Sequence, residues 1–266
     1  MEASQPIGIF DSGTGGLTVA KAVSNLLPDE QIIYFGDTAH LPYGDKSTAT
    51  IQAYAIKITD ILLQQNCKVI LIACNSASAA AYDLIKEYTG SKARVINVID
   101  PAVEYIIENN GVNKVGLIGT LQTVNSGVFD KKLSGKVKHF GALATPLLVP
   151  MIEEGFVHNS ISHDVIAKYL SDESLRDIES LILGCTHYPI IKDEISEYYH
   201  GSVEIIDSAE TVARSLKRYL EEANLLAPSR SNKNRFLVSD ITEGFEKAAN
   251  LFFGKEIHLE KYPLWE

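Results

Sequence analysis

Val69-Ile70-Leu71-Ile72-Ala73-Cys74-Asn75-Ser76-Ala77-Ser78 is an unbroken apolar run that stops at a cysteine and passes into small polar residues. Such a run predicts a parallel strand covered on both faces, because apolar–polar alternation disappears when neither face meets water. Its carboxyl end then delivers the Cys74 thiol to the side of the sheet where open α/β folds bind ligands. Leu181-Ile182-Leu183-Gly184-Cys185-Thr186-His187-Tyr188-Pro189 repeats the design, with a second cysteine at the end of a second apolar strand. Cys67 lies just before the first of these strands, at the opposite end, and is expected to be structural.

The surrounding chain supports an α/β reading. Ile7-Gly8-Ile9-Phe10 is a short strand, Asp11-Ser12-Gly13-Thr14-Gly15-Gly16 a tight turn, and Leu17 to Leu26 has helical spacing. Free amides and the positive end of the helix make that turn a candidate anion site. A dinucleotide fingerprint and a plain strand-to-helix connection are the rivals. Against the fingerprint, Thr18 stands where its third glycine would be, and Asp11 would face a pyrophosphate. Gln31 to Phe35 is the next strand, and Leu41-Pro42-Tyr43-Gly44 a turn-forming loop at its carboxyl end, which makes Tyr43 and Gly44 candidates for substrate contact. A long helix is expected over Ser47 to Gln65, a strand over Arg94 to Ile99, and a helix capped by Asp100 with Pro101 at its first position.

The pattern then begins again. Val115 to Thr120 echoes Ile7 to Ser12 at an offset of 108 (116 − 8), and Val149-Pro150 echoes Leu41-Pro42 at the same offset. Cys185 follows Cys74 by 111 positions, and Ile206-Asp207-Ser208-Ala209 follows Ile99-Asp100-Pro101-Ala102 by 107. Ordered echoes at nearly constant offset predict two similar parallel-sheet α/β domains related by pseudo-symmetry, with the active site in the cleft between them. After a helix over Ala209 to Ala223 and a linker over Ala227 to Asn232, a strand at Arg235 to Ser239, a helix at Thr242 to Phe253 and a short strand at Ile257 to Leu259 have no counterpart in the first unit. They are expected to complete the first domain, which gives 1–97 plus 207–266 as one domain and 98–206 as the other.

Composition sets the outer bounds. With 266 residues, 45% hydrophobic and 22% charged, the chain is that of an ordinary globular protein. A formal charge of −10 speaks against nucleic acid as a partner, since no surplus of basic residues is available to displace counterions. Charge inside a pocket need not follow net charge, so an acidic small molecule stays open. No apolar run approaches the roughly 20 residues that span a bilayer. Met1 to Pro6 lacks a basic segment leading into an apolar signal core, and a cytoplasmic location is expected. Three widely spaced cysteines suit reduced thiols better than a disulfide framework.

Two thiols on opposite faces of a bound molecule suit stereoinversion, one removing a proton from carbon and the other delivering one from behind. An ordinary thiol pKa of about 8.5 makes both protonation states accessible near neutral pH. Both Cys74 and Cys185 are expected to precede helix starts, which favour the thiolate. His187 can tune the proton near Cys185, with Asp11 and Glu153 the best-placed carboxylates. Asn75, Ser76 and Thr186 are neutral donors for a substrate carboxylate. A zinc site from Cys74, Cys185 and His187 lacks a close pair of the usual ligand spacing, and no C-x-x-C redox motif is present.

Asp11 to Leu17, Pro42-Tyr43-Gly44, Cys74-Asn75-Ser76-Ala77 and Gly184 to Pro189 together resemble the glutamate racemase family, and the likeness runs on to Val238-Ser239-Asp240. The resemblance implies cofactor-independent interconversion of L- and D-glutamate, supplying D-glutamate to peptidoglycan. It implies that Cys74 takes the α-proton of D-glutamate and Cys185 that of L-glutamate, assisted by Asp11, Glu153 and His187. Substrate contacts would come from Asp11, Ser12, Tyr43, Gly44, Asn75, Ser76, Thr186 and His187, with no metal. Ser76 departs from the family's usual threonine, keeping the hydroxyl and losing a methyl. Related aspartate racemases share the two-cysteine plan, and a nucleotide-binding oxidoreductase is the alternative from another class. Glutamate is the implied partner, without nucleic acid or membrane. Family members often form homodimers in differing arrangements, so a homodimer is admitted without a particular interface.

Overall fold

The computed structural model of the protein describes residues 1–109, 113–229, 232–254 and 256–265. The chain runs β1 (Ile7–Asp11), α1 (Leu17–Leu26), β2 (Ile32–Gly36), α2 (Thr48–Gln64), β3 (Val69–Ile72), α3 (Asn75–Thr89) and β4 (Arg94–Asn97). It continues through α4 (Ile99–Glu108), β5 (Lys114–Gly119), α5 (Leu121–Asn125), α6 (Val128–Leu133), β6 (His139–Ala144), α7 (Leu148–Glu153), α8 (Ser160–Leu170), β7 (Ser180–Gly184), α9 (Lys192–Tyr198) and β8 (Glu204–Asp207). Helix α10 (Ser208–Glu222), β9 (Arg235–Val238), α11 (Glu243–Phe253) and β10 (Leu259–Lys261) follow.

Two sheets result, ordered β10-β9-β2-β1-β3-β4 and β6-β5-β7-β8, and every pairing in them is parallel. The strands β2-β1-β3-β4 of the first sheet repeat the whole order of the second. The duplication extends to backbone register. Ile7 lies opposite Ile32 and Val69, and Val115 opposite Phe140 and Ser180, which reproduces offsets of 108 (115 − 7, 140 − 32) and 111 (180 − 69).

The fourth echo is corrected by three positions. Asn97 lies opposite Ile72 and Asp207 opposite Leu183, so Asn97 is the counterpart of Asp207, not Asp100. The reason is capping. Oδ1 of Asn97 accepts from the amides of Ile99 and Asp100 at 2.8 Å, as Oδ1 of Asp207 accepts from Ala209 at 2.8 Å. Helix α4 therefore starts one residue before Asp100, whose carboxylate pairs with Lys132 at 2.8 Å.

Strands β9 and β10 extend the first sheet beyond β2, and α10 packs on α1 as well as on α4. Thr242 caps α11, and Gly254 closes it in the left-handed region at φ +77°, where glycine carries no side-chain penalty. The last strand begins at Leu259, two residues later than expected, because the Ile257 amide is taken by Oδ1 of Asn250. Arg230 and Ser231 of the expected linker lie outside the described residues. At the amino ends of the strands, fully buried Lys68 donates to Glu30 at 2.7 Å and to the carbonyls of Ala3 and Leu225 at 2.5 and 2.8 Å. Glu30 in turn accepts from the Ala227 amide at 2.8 Å, so one ion pair ties together four distant stretches of chain. Cys67 is at this end too, buried in the core of the first sheet. No helix among the described residues is long and apolar enough to cross a membrane.

Candidate active site

The carboxyl ends of β1 and β3 meet those of β5 and β7 around one small cavity, about 30 Å³, to which both halves of the chain contribute. Ser12, Tyr43, Gly44, Cys74, Asn75 and Ser76 line it from the first sheet, and Cys185, Thr186 and His187 from the second. Both cysteines thus reach the same chamber, as free thiols. Pro42, Thr120, Val149 and Gly184 complete the wall. Asp11 and Glu153 are not part of it. They stand behind it, each beside the half that carries one thiol.

Cys74 caps α3, accepting from the Ala77 amide at 3.4 Å, and its thiol is 3.8 Å from Oγ of Ser12. A helix start normally favours a thiolate. Here burial outweighs it and, with the nearby charge of Asp11, pushes the Cys74 thiol up to about 12. The Ala77 and Ser12 contacts oppose the shift without reversing it. Cys74 is therefore held as the thiol at neutral pH.

The Cys185 side is built differently. Its strand is followed not by an α-helix start, as expected, but by a short 3-10 turn over Tyr188–Ile191 with Pro189 near its beginning. The cation that the helix would have replaced is His187. Its Nδ1 is 3.7 Å from Sγ of Cys185, and its Nε2 is 2.9 Å from Oε1 of Glu153. Burial opposes a charged ring, but the sulfur and carboxylate on its two nitrogens prevail and raise His187 to about 10. The ring also meets Phe252 of α11 edge-on, with centroids 5.0 Å apart.

The glycine turn explains how the two halves come this close. A Cβ on Gly15 would lie 2.5 Å from Nδ1 of His187 and 2.7 Å from Oγ1 of Thr186, so only glycine admits the second half at this point. The same turn is corrected as an anion site. Oδ2 of Asp11 accepts from the amides of Gly13 and Gly16 at 3.1 and 3.0 Å, so the anion held there is the chain's own carboxylate. Burial raises the Asp11 carboxyl, against the opposing charge of His187 and the turn amides. Its Oδ1 is buried without a protein partner.

Polar groups with unused capacity line the chamber. Both amide atoms of Asn75 are buried and lack a protein partner, although the residue is only 2% exposed. Ser76 and Thr120 share a hydrogen bond of 2.9 Å across the halves. Thr120 is a wall residue that the sequence reading did not single out, although its position, 108 after Ser12, made it the counterpart of a candidate. Gly44 packs against it, since a Cβ there would come within 2.9 Å of Cβ of Thr120. Among the described residues, no group of three or more His, Cys, Asp or Glu side chains is arranged to hold a metal ion.

Residues 17–216 match the family model for Asp/Glu/hydantoin racemases. A curated relative, the glutamate racemase of Chlorobium phaeobacteroides, is 40% identical over 255 residues, covering 95% of this chain and 93% of its own. The glutamate racemase of Francisella tularensis, solved in complex with D-glutamate, superposes with a TM-score of 0.92 at 40% identity and 99% coverage of both chains. That of Thermus thermophilus, solved in complex with β-chloro-D-alanine, gives 0.88 at 39% identity with 98% of both chains covered.

Proposed function

This chain belongs to the Asp/Glu/hydantoin racemase family, and from that premise we propose that it interconverts L- and D-glutamate by a two-base mechanism, without a cofactor, and so supplies D-glutamate for peptidoglycan. The single observation that carries the mechanism is the chamber shared by Cys74 and Cys185, with unlike surroundings on its two sides. Likeness along nearly the full chain to proteins named glutamate racemase supports the substrate.

In the L-to-D direction, Cys185 beside the imidazolium of His187 acts as base and Cys74, held protonated, as acid. The Cys185 thiolate takes the α-proton. The electron pair left on the α-carbon passes into the substrate carboxylate, and the Cys74 thiol returns a proton to the opposite face. The two thiols end with exchanged protonation states, and the D-to-L direction is the same sequence reversed. Asp11 acts from behind Cys74, and Glu153 from behind His187. The orphaned amide of Asn75, with the hydroxyls of Ser12, Ser76 and Thr186, supplies neutral hydrogen bonds that hold substrate carboxylates without quenching the developing charge. Tyr43, Gly44 and His187 contribute the remaining contacts, and Asp11, expected among them, lies behind the wall and acts through Cys74. Sheet membership supports a division of the chain into 1–97 with 207–266 and 98–206, apart from Asp207, which closes β8 of the second sheet.

The test is incubation of each enantiomer of glutamate and aspartate in deuterated water with no added cofactor. Glutamate should lose both its optical activity and its α-proton signal, and aspartate neither. Unchanged rotation and no exchange with glutamate overturn the proposal.

A further inference from the structure

The segment 262–265 is distant in sequence from the chamber, yet it reaches one of the chamber's walls through a buried carboxylate. Asp37 follows β2, is fully buried, and divides its oxygens between two tasks. Oδ2 accepts from the hydroxyl of Tyr43 at 2.6 Å. Oδ1 accepts from Oγ of Ser239 and Nε1 of Trp265, both at 2.8 Å, and lies 3.1 Å from Nδ1 of His40. Ser239 follows β9 and Trp265 follows β10, so the two strands that the second sheet lacks converge on this one carboxylate. Tyr43 is itself 1% exposed and, with Gly44, faces the chamber.

The indole is held on several sides. Its ring lies 4.4 Å from that of His40 and 5.0 Å from that of Tyr54, with Nζ of Lys57 4.5 Å from the ring centroid. Tyr262 anchors the same segment, donating its amide to the Val238 carbonyl at 2.8 Å and meeting Phe35 edge-on. Burial and the charge of Asp37 keep the Tyr43 phenol protonated, so it remains a donor to Oδ2. A buried carboxylate depends on its full set of donors, and loss of one loosens what the others hold.

We propose that Trp265 is a positioning residue: through Asp37 it fixes the Tyr43–Gly44 wall, and the segment 262–265 thereby sets how tightly the chamber holds its substrate. The inference rests on the reading of that chamber as the glutamate site. Trp265→Phe keeps the ring and removes the N–H, and Trp265→Ala removes both.

Two measurements on the 266-residue chain test it. The first compares KM with kcat for each enantiomer of glutamate. Trp265→Phe should raise KM about three- to tenfold with kcat within about twofold, and Trp265→Ala should raise KM further. The second, which needs no activity, follows alkylation of each cysteine by iodoacetamide with peptide mass mapping. Trp265→Phe should speed modification of Cys74 several-fold, and Cys67, buried at the far end of the sheet, should stay as slow as in the wild type. An unchanged KM in an active enzyme overturns the proposal, as does a Cys74 rate that is unchanged or rises only in step with Cys67. If the wild-type chain racemises nothing, the substrate reading fails on its own account, and the Cys74 rate alone decides the role of Trp265.

Discussion

Replacement of Glu153 by glutamine isolates the charge that stands behind His187. Oε1 of Glu153 is 2.9 Å from Nε2 of His187, and the ring holds its proton up to about 10 against the cost of burial. Glutamine keeps the acceptor and removes the charge. A hydrogen bond to a charged group contributes about 1.5–3 kcal/mol. The Glu153 side chain is 36% exposed, so water screens part of the interaction and the lower end, about 1.5 kcal/mol, is the appropriate figure. At about 1.4 kcal/mol per pH unit, the ring should then titrate near 9 rather than near 10. The sign follows from the raised value. Stability contributed by the charged ring is complete below its ordinary value of 6.5 and is lost as pH rises through the folded value. In Glu153→Gln, stability at and below neutral pH should therefore fall by about 1.5 kcal/mol, the alkaline loss should be complete about one pH unit earlier, and the alkaline limb of kcat/KM should come about one unit earlier too. Nitrogen NMR of labelled His187 across neutral and alkaline pH, beside racemisation rates from circular dichroism, measures both effects. An unmoved His187 midpoint refutes the assignment of Glu153 as the charge behind the ring.

Cys74→Ala and Cys185→Ala should each abolish racemisation, as followed by circular dichroism. Because the enantiomers have equal free energy in achiral solvent, kcat/KM must fall equally in both directions, and substantial activity in either variant rules out the two-base scheme. Lys68→Met strands the buried Glu30 carboxylate, which had shared its charge at 2.7 Å. Unfolding by urea should show a loss of about 3–5 kcal/mol, and a loss below about 1 kcal/mol would mean that the pair is not a stabilising tie.

The elements legible in sequence were those with strong local signals. Helix α1 falls on Leu17–Leu26 as its spacing predicts, and β3 and β7 fall on the two continuous apolar runs. Strand β6 had no such signal. It is an edge strand of the second sheet, mostly half-exposed, and its His139-Phe140-Gly141-Ala142-Leu143-Ala144 neither alternates cleanly nor runs apolar. The cap of α4 was misplaced because Asp100 before Pro101 satisfies the local rule, whereas strand register makes Asn97 the capping residue. At the site, the two thiols were legible from strand ends and duplication. The contrast between them was not, because it depends on Glu153 and His187, 34 positions apart, meeting in three dimensions. Thr120 carries no local signal of its own, and only its place 108 positions after Ser12 marks it as a wall residue.

The small size of the chamber has a mechanical consequence. Only about 30 Å³ of it is open to the centre of a water-sized molecule, a narrow space for an amino acid. On the proposed two-base reaction, an amino-acid substrate entering so narrow a chamber parts the two sheets, and both sulfurs bear on one carbon once they close again. The chain passes between the sheets at two places, from β4 into α4 and from β8 into α10, and those two helices pack on each other. For such a motion these two helices are the axle, and each jaw carries one sulfur. On that reading each turnover contains a cycle of opening and closing as well as two proton transfers, and the speed of that cycle sets a ceiling on the rate that no tuning of the thiols can lift.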